Sequence, residues 1–248
     1  MLNCNSYNIG IDGHHFSIQR IRYETYRRFN AKPSVLLLNT DFISTLAHAA
    51  DPQYEREQYF PYLKDTALFN AVAEENHFTW LDRYCPLVRY FGYKEDVAHG
   101  VESFLGKKHF NDGGMHKGYR GDNWAWGRAI IKIDTLRNVE IDWNVVKELE
   151  DFVAASEDEG IQVVFVKAPV LRPLLEQLSD ISLTDSIYVS IARRHHVPVL
   201  DYYYSSIGLD STYFYNPSHL NAMGADMFTT ELCRDLERVV CLSSCPGG

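Results

Sequence analysis

The sequence of 248 residues lacks several features that mark whole classes of protein. No run approaches the ~20 consecutive apolar residues of a transmembrane helix, so we predict no membrane segment in this chain. Its 24 basic residues are outnumbered by 33 acidic ones, which gives a net charge of −9. A nucleic-acid-binding protein needs a basic surface to neutralise phosphates, so we predict no nucleic-acid partner.

Cysteine is scarce and dispersed, and no CxxC pair occurs, which argues against a structural zinc site. The five cysteines are Cys4, Cys85, Cys233, Cys241 and Cys245. We expect residues 241–248 to form a loose C-terminal tail, with a bridge or a metal site at its two cysteines as the alternative. No GxGxxG fingerprint or P-loop stands in the sequence, and we predict no cofactor.

The residues that are present indicate a globular α/β protein. Apolar residues make up 46% of the chain, which supplies a core and excludes disorder of the whole chain. Apolar segments of strand type alternate with segments of helical period. The predicted strands are 2–11, 34–38, 161–166 and 197–200, and the clearest predicted helices are 14–29, 143–159, 186–194 and 221–239. The continuous apolarity of 34–38 and 161–166 indicates parallel strands that are buried on both faces.

A single domain is predicted over residues 1–240, with an insertion at 43–140. Helical pieces broken by proline fill its first part, and residues 106–127 form an irregular loop rich in Gly, Asp, Asn, His and Trp. Long irregular loops in compact domains are often functional. Three aromatic residues of this loop are candidates for the wall of a cleft: Tyr119, Trp124 and Trp126.

The segment 214–225 carries the sharpest candidate for chemistry, because His219 stands in a polar loop just before the last helix. Asn216, three residues earlier, can accept the Nδ1 proton of the imidazole and fix its tautomer. The Nε2 atom is then free to act as a general base. The alternative is that Asn216 or Ser218 caps the last helix and His219 lies in its first turn.

Two more polar segments follow predicted strands, at the edge where parallel sheets bind their ligands. The glycine-rich turn at 8–15 presents backbone N–H groups that suit a phosphate or a developing oxyanion. Asn39, Thr40 and Asp41 follow the strand at 34–38, and their alternative role is to cap the helix that comes next.

Taken together, these segments resemble the sequence blocks of the SGNH (GDSL-type) hydrolases. Asn-Ile-Gly-Ile-Asp-Gly at 8–13 is similar to the second block, residues 39–41 lie where the third block falls, and 214–225 is similar to the fifth. The likeness is greatest to bacterial cell-envelope members, whose last block reads much like Phe-Tyr-Asp-Pro-Ser-His-Leu-Asn. The resemblance runs from about residue 6 to 42 and from about 161 to 236, and it leaves the insertion uncovered.

The resemblance implies a flavodoxin-like three-layer α/β/α fold and Ser–His chemistry on a small-molecule or glycan acyl ester, with an O-acetyl glycan as one candidate. Carried over, His219 is the base, and Asn216 stands where the family has the Asp that orients it. Gly13 is an oxyanion donor, and the third-block amide falls on Thr40, or on Asn39 after a shift by one. The resemblance also implies an extracytoplasmic, cell-envelope setting.

The chain departs from the family at the nucleophile. Family members carry it in a Gly-x-Ser block well before the second block, and Gly10 lies too close to Met1 for that block to exist here. Neither Ser6 nor Ser17 stands in its place. We therefore expect a truncated member that lacks the first strand and is inactive, or nearly so, as written. The alternative is a complete, degenerate relative that binds without catalysing.

Two rival classes stay open from the sequence. One is a non-catalytic carbohydrate-binding or interaction protein of the same fold, in which the three loop aromatics stack on sugars. The other is a metal-dependent hydrolase that uses the histidines His14, His15, His109 and His116. Adjacent residues of a helix point apart, which disfavours a metal site at the first two, and we predict no metal.

Overall fold

The fold is described by a computed structural model of the chain. It covers residues 4–10, 15–40, 46, 56–74, 76–106, 117, 119, 121, 123–126, 141–177 and 181–240. Before the middle of the chain its elements are α1 (Phe16–Arg27), β1 (Val35–Asn39), a 3₁₀ helix (Arg56–Tyr62), α2 (Thr66–Val72), α3 (Trp80–Tyr84), α4 (Pro86–Arg89) and α5 (Lys94–Phe104). After it come α6 (Trp143–Asp158), β2 (Gln162–Lys167), α7 (Arg172–Leu175), α8 (Ile181–Arg194), β3 (Val199–Asp201), two 3₁₀ helices (Ser206–Leu209 and Ser211–Tyr213), β4 (Phe214–Asn216), β5 (His219–Leu220) and α9 (Ala222–Val239).

The sheet consists of three parallel strands in the order β1-β2-β3 among the described residues. Leu37 pairs with Val164 in the first ladder, and Lys167 pairs with Asp201 in the second. Because α6 connects β1 to β2 and α8 connects β2 to β3, both connections return to the same edge, as parallel strands require. A separate antiparallel hairpin, β4–β5, follows the sheet.

Helices cover both faces of the sheet, so the protein is a three-layer α/β/α structure. On one face, α1, α6 and α8 pack over Val163 and Phe165 of β2. On the other face, Leu236 of α9 packs with Val164 and Val166. Successive residues of β2 therefore enter opposite cores, which is the two-residue period of a strand. The α/β fold class predicted from the sequence is confirmed.

Two of the strand predictions are corrected. No strand forms in the described part of 2–11, residues 4–10, where the Asn8 N–H bonds to the Lys117 carbonyl and the Asn8 side chain bonds to the N–H of Gly10. The strand at 34–38 is confirmed as β1, but it is not buried on both faces. It lies at the end of the described sheet and leaves Leu37 41% exposed.

The predicted helices are largely confirmed, with two corrections. The helix predicted at 186–194 begins at Ile181, five residues earlier. In α9 the helical period predicts an apolar side of Met223, Met227, Phe228, Leu232 and Leu236. The last three contact the sheet, but the two methionines are exposed.

Helices and a 3₁₀ turn fill the described half of the predicted insertion, residues 56–106, and they build a second core against α1. Ile18 and Ile21 of α1 pack there with Phe60 and Leu63. The buried Arg89 guanidinium donates to three backbone carbonyls, those of Phe60, Asp82 and Arg83, at 2.6–2.8 Å. These charge-assisted bonds tie α3 and α4 to the preceding 3₁₀ helix.

Further observations bear on the predicted tail and the membrane. Cys4 is disulfide-bonded, whereas Cys85 and Cys233 are free thiols. The predicted tail at 241–248 lies outside the described residues. Within the described part of the chain, no helix is both long and apolar enough to span a membrane.

Candidate functional site

The carboxyl ends of the strands lie side by side, as the parallel sheet requires. Asn39 at the end of β1 pairs with Val166, and Lys167 at the end of β2 pairs with Asp201 at the end of β3. The β4–β5 hairpin meets this edge, because the Leu171 N–H, just after β2, donates to the Pro217 carbonyl at 2.9 Å. The polar segment at 214–225 and the polar end of β1 at Asn39 therefore lie at one edge of the sheet.

His219 is held by the side chain three residues before it. The Asn216 Oδ1 atom accepts the backbone N–H groups of Ser218 and His219 at 3.0 and 2.9 Å, which identifies it as the oxygen of the amide. The His219 Nδ1 atom lies 2.9 Å from the same oxygen. An amide oxygen only accepts, so Nδ1 carries the proton, and in the neutral ring Nε2 keeps the lone pair.

Two neighbours fix the ring further. The Ser218 hydroxyl lies 3.1 Å from both Asn216 Oδ1 and His219 Nδ1, on the protonated side of the imidazole. The Tyr215 ring stacks on the imidazole with centroids 5.4 Å apart and an angle of 18° between planes. The sequence interpretation missed Tyr215, although its position four residues before His219 at the hairpin turn was a usable signal.

The capping alternative for this segment is wrong. Asn221 caps α9, because its Oδ1 accepts the N–H of Gly224 at 3.0 Å. Its Nδ2 also donates to the Thr212 carbonyl at 2.7 Å and to the Trp124 carbonyl at 3.3 Å. With the cap supplied by Asn221, the Asn216 side chain is engaged by the His219 turn instead.

Gly224 lets α9 begin close to the hairpin. A Cβ atom at this position would lie 2.2 Å from the Tyr213 carbonyl oxygen and 3.0 Å from Leu220 Cδ2. The first turn of α9 therefore packs directly on both ends of the hairpin that carries His219. The glycine is explained by this close approach of backbone to backbone.

The three loop aromatics take different positions beside the hairpin. The backbone N–H of Trp126 donates to the Phe214 carbonyl at 2.8 Å. The Trp126 side chain is half-buried and packs on the cluster of Leu171, Ile207 and Phe214. Trp124 is 78% exposed and Tyr119 is 40% exposed. Burial and the nearby Asp226 carboxylate raise the pKa of Tyr119. The structure thus places two open rings next to the His219 segment and uses the third for packing.

Thr40 and Asn39, the two candidates at the end of β1, differ in burial and in hydrogen bonding. Thr40 is 1% exposed, and both its N–H and its hydroxyl bond to the Val166 carbonyl, at 2.9 and 3.3 Å. Asn39 is exposed at the same edge. Thr40 is therefore bonded into the sheet while Asn39 is exposed, and the oxyanion role of this block stays a prediction.

Several predicted residues lie outside the described part of the chain. They are Gly13, Asp41, His14, His109 and His116. Among the residues that are described, no group of three or more His, Cys, Asp or Glu side chains is placed to hold a metal ion. The oxyanion role of Gly13 and the metal alternative both stay predictions.

A cluster of ion pairs around the buried Lys167 at this edge was not predicted. The Lys167 ammonium is 2% exposed and lies 2.7 Å from an Asp185 oxygen and 3.0 Å from an Asp201 oxygen, with the Tyr203 ring 5.3 Å away. These ion pairs connect the end of β2 to α8 and to the end of β3, beside the site. A lysine directly after a buried apolar strand was the signal that pointed to it.

No family model and no curated protein matches the chain. It is similar to a solved structure from Bacteroides fragilis that is described as a "putative acylhydrolase", at 14% sequence identity and a TM-score of 0.31. The match covers 39% of this chain and 51% of that chain, so the chain spans about half the length of the solved protein. A structural likeness of this size supports no conclusion about function. The function proposed below therefore depends on the geometry of the site.

Proposed function

We propose that this chain is an SGNH-type ester hydrolase or acyltransferase-like protein, in which His219 is the general base at an acyl-ester site. The observation that carries the proposal is the bond from His219 Nδ1 to Asn216 Oδ1. With Nδ1 bonded to Asn216, the basic Nε2 atom lies on the opposite side of the ring, as general-base catalysis requires. The resemblance in the sequence supplies the substrate class, an acyl ester such as an O-acetyl glycan.

The same geometry limits the rate. Asn216 is neutral, so it orients the imidazole but adds no negative charge to stabilise the imidazolium that forms in the reaction. In a serine protease the Asp-to-Asn change at the corresponding place lowers turnover by ~10⁴-fold. The Ser218 hydroxyl lies on the Nδ1 side, where no lone pair is left to take its proton. We therefore propose weak turnover.

Hydrolysis of p-nitrophenyl acetate tests the proposal. We expect the wild-type protein to act slowly, His219→Ala to reduce the rate to background, and the control Ser186→Ala, at an exposed position of α8, to keep it within about twofold. A robust rate that is unchanged by His219→Ala would contradict the proposal. Turnover that needs His219 but survives removal of every serine would contradict a serine nucleophile.

A second candidate function is carbohydrate binding without catalysis. The observation that favours it is the exposure of Trp124 beside the cap of α9, since its carbonyl accepts from the Asn221 amide while its ring faces solvent. An open indole face is a stacking surface with an apolar body and a polar N–H. Both functions share one edge of the sheet, and they are separated by whether an ester is turned over.

A further inference from the structure

We propose that Cys4 forms an intrachain disulfide with Cys241 or Cys245, and that this bond ties the segment before α1 to the segment after α9. The inference is independent of the proposed function. It begins from the disulfide-bonded state of Cys4.

The partner follows by elimination. The chain has five cysteines, and Cys85 and Cys233 are free thiols. Only the two cysteines that lie beyond the described residues are left as intrachain partners for Cys4. The sequence interpretation treated these two as part of a tail, because no pattern of spacing linked them to the start of the chain.

The described residues Tyr7 and Val239, which flank the two cysteine positions, both lie near the edge of the sheet where the strands start. Tyr7, three residues after Cys4, stacks on Tyr26 near the end of α1, with centroids 6.1 Å apart. The next residue of α1, Arg27, pairs with Glu159 at 3.1 Å, just before β2 begins. The end of α1, and Tyr7 with it, therefore lies where the strands start.

The end of α9 reaches this edge from the other face. The Gln162 side chain, in the first residue of β2, donates to the Val239 carbonyl at 2.9 Å. Cys241 and Cys245 follow Val239 by two and six residues, and an extended chain spans roughly 3.5 Å per residue. Cys241 and Cys245 are thus within about 7 Å and about 20 Å of chain from Val239, and Cys4 is within about 10 Å of chain from Tyr7.

The bond has a consequence for where the protein folds. Structural disulfides form and persist in oxidising compartments and are rare where thiols are kept reduced. A bond that closes almost the whole chain also restricts the unfolded state more than a short loop would. We therefore infer that the chain matures in an oxidising compartment.

The test is peptide mapping of the full chain, produced under oxidising conditions and digested without reductant. We expect one cross-linked pair that joins the Cys4 peptide to a peptide with Cys241 or Cys245. Thiol titration of the unfolded protein should count three thiols before reduction and five after it. Single changes of Cys241 and Cys245 to Ser then identify the partner, because only one of them frees Cys4.

Cys4→Ser should count four thiols without reduction and lower Tm by roughly 5–15 °C. The matched control Cys85→Ser should keep the cross-link and change Tm little. The proposal is overturned if Cys4 is a free thiol, if it is joined to Cys85 or Cys233 or to a second chain, or if Cys241 and Cys245 are bonded to each other. Because the thiol count is made on unfolded protein, it stays informative even if Cys4→Ser folds poorly.

Discussion

Single residues decide what the hairpin can do. The spacing of Asn216 and His219 predicted that the earlier side chain accepts the Nδ1 proton, and the two atoms lie 2.9 Å apart. A turn of three residues leaves few other partners within reach, which is why a local pattern was enough to predict the contact. The catalytic role of the pair stays a proposal.

The loop tryptophans give a prediction at this scale. We expect Trp124→Ala to weaken binding of a chito-oligosaccharide at least tenfold and to change stability by less than about 0.5 kcal/mol, because the ring is exposed. Trp126→Ala should lower stability by about 2–3 kcal/mol, because its ring packs on the core beside Phe214.

Tryptophan fluorescence titration and urea unfolding measure the two effects. Equal loss of sugar binding and of stability in both variants would show that the rings are not divided in this way. The sequence grouped these residues as one cleft, because composition does not tell which side chains of an irregular loop pack inward.

Among the elements, those with strong periodicity were predicted best. The helix α6 was predicted at 143–159 and runs from Trp143 to Asp158. Its period predicts a buried side of Val145, Val146, Leu149, Phe152 and Val153, and all of these but Phe152 are buried. The first turns of α9 were harder to predict. Met223 and Met227 have the correct spacing for an apolar side, but the first turns of α9 meet the hairpin through Gly224 rather than through these side chains.

Two helical glycines form a matched pair for a test. Gly224→Ala should destabilise the protein by about 1–3 kcal/mol, because the new Cβ would lie 2.2 Å from the Tyr213 carbonyl oxygen. Gly100→Ala in α5 should stabilise it by about 0.5–1 kcal/mol, since nothing lies within 4 Å of the new Cβ and alanine favours a helix.

Chemical unfolding in urea measures both changes. If Gly224→Ala also proved stabilising, the close contact between α9 and the hairpin would be wrong. The imidazole signals of His219 in NMR spectra give a second readout, and they should shift in Gly224→Ala and stay in place in Gly100→Ala.

For the whole molecule, the sequence predicted the layers better than the boundaries of the sheet. Alternation along the chain predicted a parallel α/β fold, and β2 is buried on both faces as its apolar run indicated. The same apolar pattern in β1 predicted burial on both faces, which is wrong, because an apolar run does not indicate whether another element covers each face of the strand. The Lys167 ion pairs were not predicted. The lysine after an apolar strand was a visible signal, but its partners Asp185 and Asp201 lie in later elements of the chain, which local patterns do not connect to it.

Acid stability is expected to depend on Asp65, the cap of α2. Burial raises the pKa of its carboxyl, but the Leu68 N–H and the Arg28 guanidinium outweigh that effect and lower it overall. A pKa below the unfolded value of ~3.9 means that this stabilisation is present above about pH 4 and is lost as the pH falls through the folded-state pKa.

Asn caps a helix as well as Asp does, so Asp65→Asn removes the negative charge and keeps the cap. We expect this variant to lose less stability than the wild type between about pH 5 and pH 3, measured as Tm. The control is Asp158→Asn at an exposed position near the end of α6, which should keep the wild-type slope. Identical slopes in all three proteins would refute the role of Asp65.

The central claim is that His219 and Asn216 form the base of an acyl-ester site, and kcat/KM for p-nitrophenyl acetate in three proteins tests it most directly. Asn216→Asp keeps an oxygen acceptor for Nδ1 and adds the missing charge, so we predict a rise of at least tenfold over the wild type, within a ceiling of ~10⁴-fold. Adding His219→Ala should remove the whole gain. An unchanged rate in Asn216→Asp, or a gain that survives the loss of His219, would contradict the account.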